Sequence, residues 1–128
     1  MTARGGGQAL YGQGQADGGY VVDMAGLDEV RCVPEDRLLV AGAGALWRDV
    51  VRTSLAAGLA PPVLPDHLGG SVGGVLSTGG FGGSSHRFGL VADWVRELEV
   101  VTGNGERLVC SQQEHPDLFR AVLAGLGR

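Results

Sequence analysis

The sequence predicts a mixed fold in which short paired strands alternate with short helices around a glycine-rich wall. Three observations predict it. The run from Leu64 to Gly83 holds eight glycines among twenty residues, interleaved with Leu68, Val72, Val75, Leu76 and Phe81. Two β-rich stretches, 29–41 and 95–110, each enclose a turn signal. Between the first stretch and the glycine run, residues 46–55 switch to a helical period.

The glycine run needs a reason to exist, because each glycine loses more backbone entropy on folding than alanine would. Its uses are close approach of the backbone to something else and positive φ angles. The apolar interleaving sets it apart from a solvated linker. It therefore reads as one wall of a ligand site, with Asp66, its single acid, at the edge.

The remaining elements follow in order. Residues 3–13 form a second glycine-rich turn, whose successive N–H groups are suited to an anion-binding nest. Gly7 and Gly12 have the spacing of a Walker A loop, but Gln13-Gly14 follow and the chain has no lysine, which excludes a P-loop. Gly5 and Gly7 are followed by Leu10, and Gly42 and Gly44 by Trp47, where a third glycine belongs. That argues against a doubly wound dinucleotide fold. Residues 19–24 read as a short strand, and 29–33 and 37–41 as a hairpin around Pro34-Glu35-Asp36. Leu46, Trp47, Val50, Val51, Ser54 and Leu55 share one helical face, with Trp47 in the core and Gly58 as the stop. Val72 to Thr78 reads as a short helix whose start, near Gly69 to Ser71, favours an anion. Its small residues allow tight packing against a cofactor or a second glycine loop. Arg87 reads as an ion-pairing or carbonyl-capping residue. Val95 to Thr102 and Arg107 to Cys110 form a hairpin across Asn104-Gly105. Ser111 with Glu114 fits a capping box for a last helix carrying Leu118, Phe119, Val122 and Leu123 on its apolar face.

Composition narrows the function classes. A chain of 128 residues fits one domain that buries roughly two-thirds of its unfolded surface. The 24 glycines follow no Gly-X-Y period, which excludes collagen. Net charge is −4, and the ten basic residues are scattered arginines, which excludes a nucleic-acid surface. Cys32 and Cys110 make no disulfide framework, and His67, His86 and His115 lack ligand spacing, so no metal is expected. His67 reads as local packing or a solvent contact. With no signal-peptide run and no membrane-length apolar window, the expected compartment is the cytoplasm, with no membrane partner.

The segments together carry a resemblance. Arg4-Gly5-Gly6-Gly7 with Gly12-Gln13 and Gly18 to Met24 resembles the first FAD-contacting loop and strand of the vanillyl-alcohol oxidase / p-cresol methylhydroxylase (PCMH) flavoprotein family. Pro65 to Gly83, Arg87-Phe88-Gly89, Leu98 to Gly105 and Asp117 to Gly127 resemble its cytokinin dehydrogenase branch in particular. The resemblance implies an α+β, PCMH-type FAD-binding fold of two packed subdomains. This chain would supply mainly the larger one, a mixed or antiparallel sheet flanked by helices. It implies FAD as cofactor and oxidation of an amine or alcohol by hydride transfer to the flavin. It places Asp66 as the base that takes the substrate proton, helped by burial among Leu64 and Leu68. It places Gly5, Gly6, Gly7, Gln8, Gly12 and Gln13 on the first cofactor-contacting loop. Ser71, Gly73, Gly74, Ser77 and Thr78 fall on the second.

Three departures shape the expectation. Many relatives carry a His bonded covalently to the flavin where this chain has Gln8, followed by Ala9 in place of Ser. An amide cannot make that bond, so FAD is expected to be non-covalent. Residues 1–128 are expected to be a partial FAD-binding domain, without the small N-terminal lobe, the closing strand and the substrate domain. Two functions then compete: an oxidoreductase, acting alone or completed by a partner chain as in a split oxidase, and a non-catalytic flavin-binding or structural remnant.

Overall fold

The computed structural model describes residues 1–127; Arg128 lies outside the described residues. Strands β1 (Thr2–Arg4) and β2 (Val21–Asp23) pair in parallel, with Arg4 opposite Asp23. β1 was hidden within the glycine-rich turn, because three residues carry no readable alternation. Strands β3 (Val30–Val33) and β4 (Leu38–Ala41) form the expected antiparallel hairpin around a 3₁₀ turn at Pro34–Asp36. Strands β5 (Glu97–Val101) and β6 (Arg107–Ser111) form the second hairpin. Its connection is a three-residue loop with Gly105 at φ 80°, where the Gly105 N–H donates to the Thr102 carbonyl at 2.9 Å. The expected mixed sheet is thus present as three two-stranded units.

Helix α1 (Trp47–Ala56) buries Trp47, Val50 and Ser54, while Leu55, expected on the same face, stays 60% exposed. It ends as its sequence predicts. Gly58 adopts φ 70°, and the Gly58 and Leu59 N–H groups donate to the Leu55 and Ser54 carbonyls at 3.0 and 2.9 Å. Helix α2 (Val72–Ser77) occupies the predicted place, with Ser71 as N-cap accepting from the Gly74 N–H at 3.3 Å. Helix α3 (Ser85–Phe88) and a 3₁₀ turn at Val91–Trp94 were not legible, being shorter than the windows that reveal a period. Within α3, Arg87 forms none of the expected ion pairs among the described residues and instead stacks over the Phe88 ring at 5.0 Å.

Helix α4 (Pro116–Val122) corrects the predicted cap. Ser111 Oγ accepts from the Gln113 and Glu114 N–H groups at 3.1 and 3.0 Å, but this closes a turn ahead of the helix. Pro116, with its fixed φ and missing N–H, sets the helix start, and His115 before it lies at φ 47°.

The core gathers Trp47, Val50, Val63 and Val91, with Val72, Val75 and Leu76 packed against them. A smaller centre places Cys110 and Phe119 between β6 and α4. Neither centre is large. The chain exposes 8569 Å², where a compact monomer of this mass exposes about 6,400 Å². It buries about 55% of its unfolded surface rather than the expected two-thirds. No helix among the described residues is long and apolar enough to cross a membrane.

Candidate functional site

Parallel pairing of β1 with β2 forces the chain between them to travel back along the outside of the pair. Residues 5–20 make that return with no helix, and they enclose an open cleft of about 470 Å³. Arg4, Gly5, Gly6, Gly7, Gly12 and Asp23 are among its lining residues. A second cavity of about 210 Å³ shares Gly5 and Gly6 and reaches Asp28 and Asp49. Arg4 and Asp23, register partners across the pair, join in an ion pair at 3.1 Å. The Ala25 N–H donates to Asp23 at 3.0 Å. That N–H first, and Arg4 second, hold the Asp23 carboxyl below its ordinary range.

The lining carries spare donors. Among the described residues, the backbone N–H groups of Gly5, Gly6, Gly7 and Gln8 have no acceptor within the chain. Gly7 sits at φ 68° and Gly12 at φ 75°. Successive free amides turned by a left-handed glycine are the ingredients of an anion nest. A pyrophosphate fits such a cradle, because it needs several donors and close backbone approach.

The second glycine run behaves differently. Residues 43–48 and 68–73 run antiparallel and exchange hydrogen bonds, so α1 and α2 start as a zipped pair. The Trp47 and Arg48 N–H groups donate to the Gly70 and Leu68 carbonyls at 3.0 and 2.9 Å. In return, the Val72 and Gly73 N–H groups donate to the Ala45 and Ala43 carbonyls, both at 2.8 Å. The predicted anion preference at the start of α2 is therefore corrected: its first donors are already paired inside the chain. Close packing is what its glycines supply, since a Cβ on Gly73 would stand 3.1 Å from the Ala43 Cβ. Ser77 Oγ donates to the Gly73 carbonyl at 2.8 Å and Thr78 Oγ1 to the Val75 carbonyl at 3.0 Å. Both hydroxyls can meet a ligand only as acceptors.

The two glycine runs meet, as the sequence predicts for a second glycine loop. A Cβ on Gly5 would overlap Ser71 Oγ, and one on Gly6 would stand 3.1 Å from the Gly69 carbonyl oxygen. Beside this contact, Gln8 Nε2 and His67 Nε2 lie 2.7 Å apart. With the amide nitrogen donating, the ring nitrogen accepts and the neutral imidazole carries its proton on Nδ1. His67 thus contacts the loop beside the cleft, a contact that sequence neighbours alone did not indicate. The one clue was Gly69, whose missing side chain leaves the room His67 occupies.

Of the expected site residues, Gly5, Gly6, Gly7 and Gly12 share the cleft. Gln13 turns inward on its own loop, its Oε1 accepting from the Tyr11 N–H at 3.1 Å. Asp66 is exposed, as is Leu68, so the burial expected around this carboxylate is not supplied by its neighbours.

Comparison with known proteins agrees with this geometry. Residues 1–111 match the model of the FAD binding domain family. The whole chain is 49% identical to 29% of an uncharacterized oxidoreductase, ORF5 of the fasciation locus of Rhodococcoides fascians. It is 44% identical to 24% of cytokinin dehydrogenase 2 of Oryza sativa subsp. japonica. In structure, 96% of the chain overlays 27% of 6-hydroxy-D-nicotine oxidase from Arthrobacter nicotinovorans, a PCMH-type flavoprotein, with a TM-score of 0.90 and 28% identity. The chain spans about a quarter of the length of these proteins. Free amides in a glycine cradle, a matching family model and a matching backbone agree: the chain belongs to the FAD binding domain family and has a PCMH-type fold.

Proposed function

We propose that this chain is the flavin-holding part of an FAD-dependent oxidoreductase acting on an amine or alcohol, and that it holds FAD without a covalent bond. The observation that carries the reading is the run of unpaired amides from Gly5 to Gln8 beside the cleft. They receive the pyrophosphate oxygens, while Gly12 and Gln13 close the far end of the loop. Ser71, with Gly69 and Gly70, forms the support on which Gly5 and Gly6 rest, Gly73 and Gly74 let α2 pack closely behind it, and Ser77 and Thr78 offer hydroxyl oxygens as acceptors. Bound FAD would supply the ring that accepts a hydride from the substrate.

Asp66 takes the substrate proton in this reading. Its carboxylate is exposed, so the desolvation that favours such a base must come from bound flavin and substrate, or from polypeptide outside residues 1–128. Gln8 carries an amide where flavin-linking relatives carry an imidazole, and an amide nitrogen is too poor a nucleophile to form that bond. The low burial also favours a second reading, in which the chain binds flavin without turnover or is one half of a split oxidase.

The test is a visible absorbance spectrum after FAD addition and gel filtration. Flavin bands that survive filtration and are released by denaturant are the expected result. Flavin that stays attached after denaturation overturns the non-covalent claim, and a colourless protein overturns the cofactor reading. Turnover with a completing polypeptide, lost in Asp66→Asn while FAD binding persists, separates the enzyme from the flavin carrier.

A further inference from the structure

The cradle has a mechanical weakness. From Gly5 to Leu10, no backbone N–H or carbonyl bonds to another described residue, and one hydrogen bond ties the whole segment to the chain: Gln8 Nε2 to His67 Nε2 at 2.7 Å. The other end of that tie is firm. The Leu68 carbonyl, next to His67, accepts from the Arg48 N–H at 2.9 Å, and the Gly70 carbonyl accepts from the Trp47 N–H at 3.0 Å. Trp47 is itself 5% exposed and part of the core. A rigid path therefore runs from the core through the start of α1 to residues 68–70 and the imidazole. It stops at the loop whose amides are free. Gly69 keeps the path open, because a Cβ there would stand 2.6 Å from His67 Nε2 and 3.4 Å from Gln8 Nε2.

We propose that His67 is a positioning residue of the FAD site, which through Gln8 holds the loop of free amides in the shape that receives the pyrophosphate. The proposal rests on the cofactor reading above. Without the tie, the six-residue loop retains only steric contacts at Gly5 and Gly6, and ligand binding has to order it. The ordering cost then appears as lost affinity for any ligand that carries the pyrophosphate. His67 itself need not touch the cofactor.

The test titrates the full chain with FAD and with ADP, which carries the pyrophosphate but no flavin ring. Proteins compared are the wild type, His67→Ala, Gln8→Ala, the double variant and His67→Gln, whose amide restores a polar partner. One hydrogen bond to a neutral group corresponds to about a three- to tenfold loss of affinity. The expected result is that loss for both ligands in each single variant, no further loss in the double variant, and partial recovery in His67→Gln. Thermal midpoints should be nearly unchanged, since both side chains are exposed. Additive losses overturn the proposal, and so does a loss for FAD with none for ADP, which means direct contact with the flavin ring. Unchanged affinity in His67→Ala overturns it while leaving the cofactor reading intact. A wild type that binds neither ligand overturns the cofactor reading and this proposal together.

Discussion

Gly5 and Ser71 touch so closely that a Cβ on Gly5 would overlap the Ser71 hydroxyl and stand 2.7 Å from its Cβ. This contact joins two glycine-rich runs far apart in sequence and makes one site of them. Ser71 is also the N-cap of α2 and is 2% exposed, so it cannot swing away without giving up its bond from Gly74.

Gly5→Ala should therefore destabilise the protein by about 1–3 kcal/mol, the usual cost of overpacking a closed contact. FAD affinity should fall with it, because the adjacent amides move. Ser71→Gly removes both overlapping atoms and costs only about 0.3 kcal/mol as a cap, because glycine is itself tolerated at that position. In a double-mutant cycle read by thermal unfolding, the pair should be strongly non-additive, with Gly5→Ala costing little in the Ser71→Gly background.

Acid should loosen the β1–β2 pair. Asp23 is held below its ordinary range by the Ala25 N–H and by Arg4. A carboxyl with a depressed folded value adds stability above its unfolded value, and that stability is lost as pH falls through the folded one. Unfolding midpoints measured across the acid limb should fall for the wild type below the ordinary aspartate range. Asp23→Asn should flatten that part of the curve, and equal slopes in the two proteins would contradict the assignment.

Trp47 supplies a contrast between shape and polarity. Its indole Nε1 is buried with no partner among the described residues, so its N–H makes no bond there that a substitution could break. Trp47→Phe should cost less than about 1.5 kcal/mol, as a volume change eased by removing an unpaired donor. Trp47→Ala should cost about 3–5 kcal/mol. Chemical denaturation midpoints separate the two, and a large loss in Trp47→Phe would mean that the indole N–H has a partner after all.

Cys110 should behave as a hydrophobe. It is fully buried, and that burial, followed by the Glu97 charge, pushes its thiol above the ordinary range. In a Cys32→Ser background, a thiol-reactive dye should label the native chain no faster than it unfolds. The same shift has an alkaline consequence. The unfolded thiol ionises first, so stability should decline as pH rises past the ordinary thiol range, and Cys110→Ala should remove that decline.

Much of this protein is local in origin. Pro34-Glu35-Asp36 and Asn104-Gly105 placed both hairpins, Gly58 ended α1, and Ser71 began α2, because turn chemistry, caps and helical period act within a few residues. The spacing of Gly5, Gly6 and Gly7 marked the cradle for the same reason. Which donors stay free was decided elsewhere. The start of α2 has the sequence of an anion site, yet carbonyls of Ala43 and Ala45 already occupy its N–H groups. The loop at Gly5 to Gln8, the return between two parallel strands, keeps its donors free although it packs against the Gly69 carbonyl. Asp66 likewise stands in an apolar sequence but an exposed place, and His67 reaches Gln8 across 59 residues. Hydrogen-bond pairing and burial depend on groups distant along the chain, and only the folded arrangement brings those groups to one another.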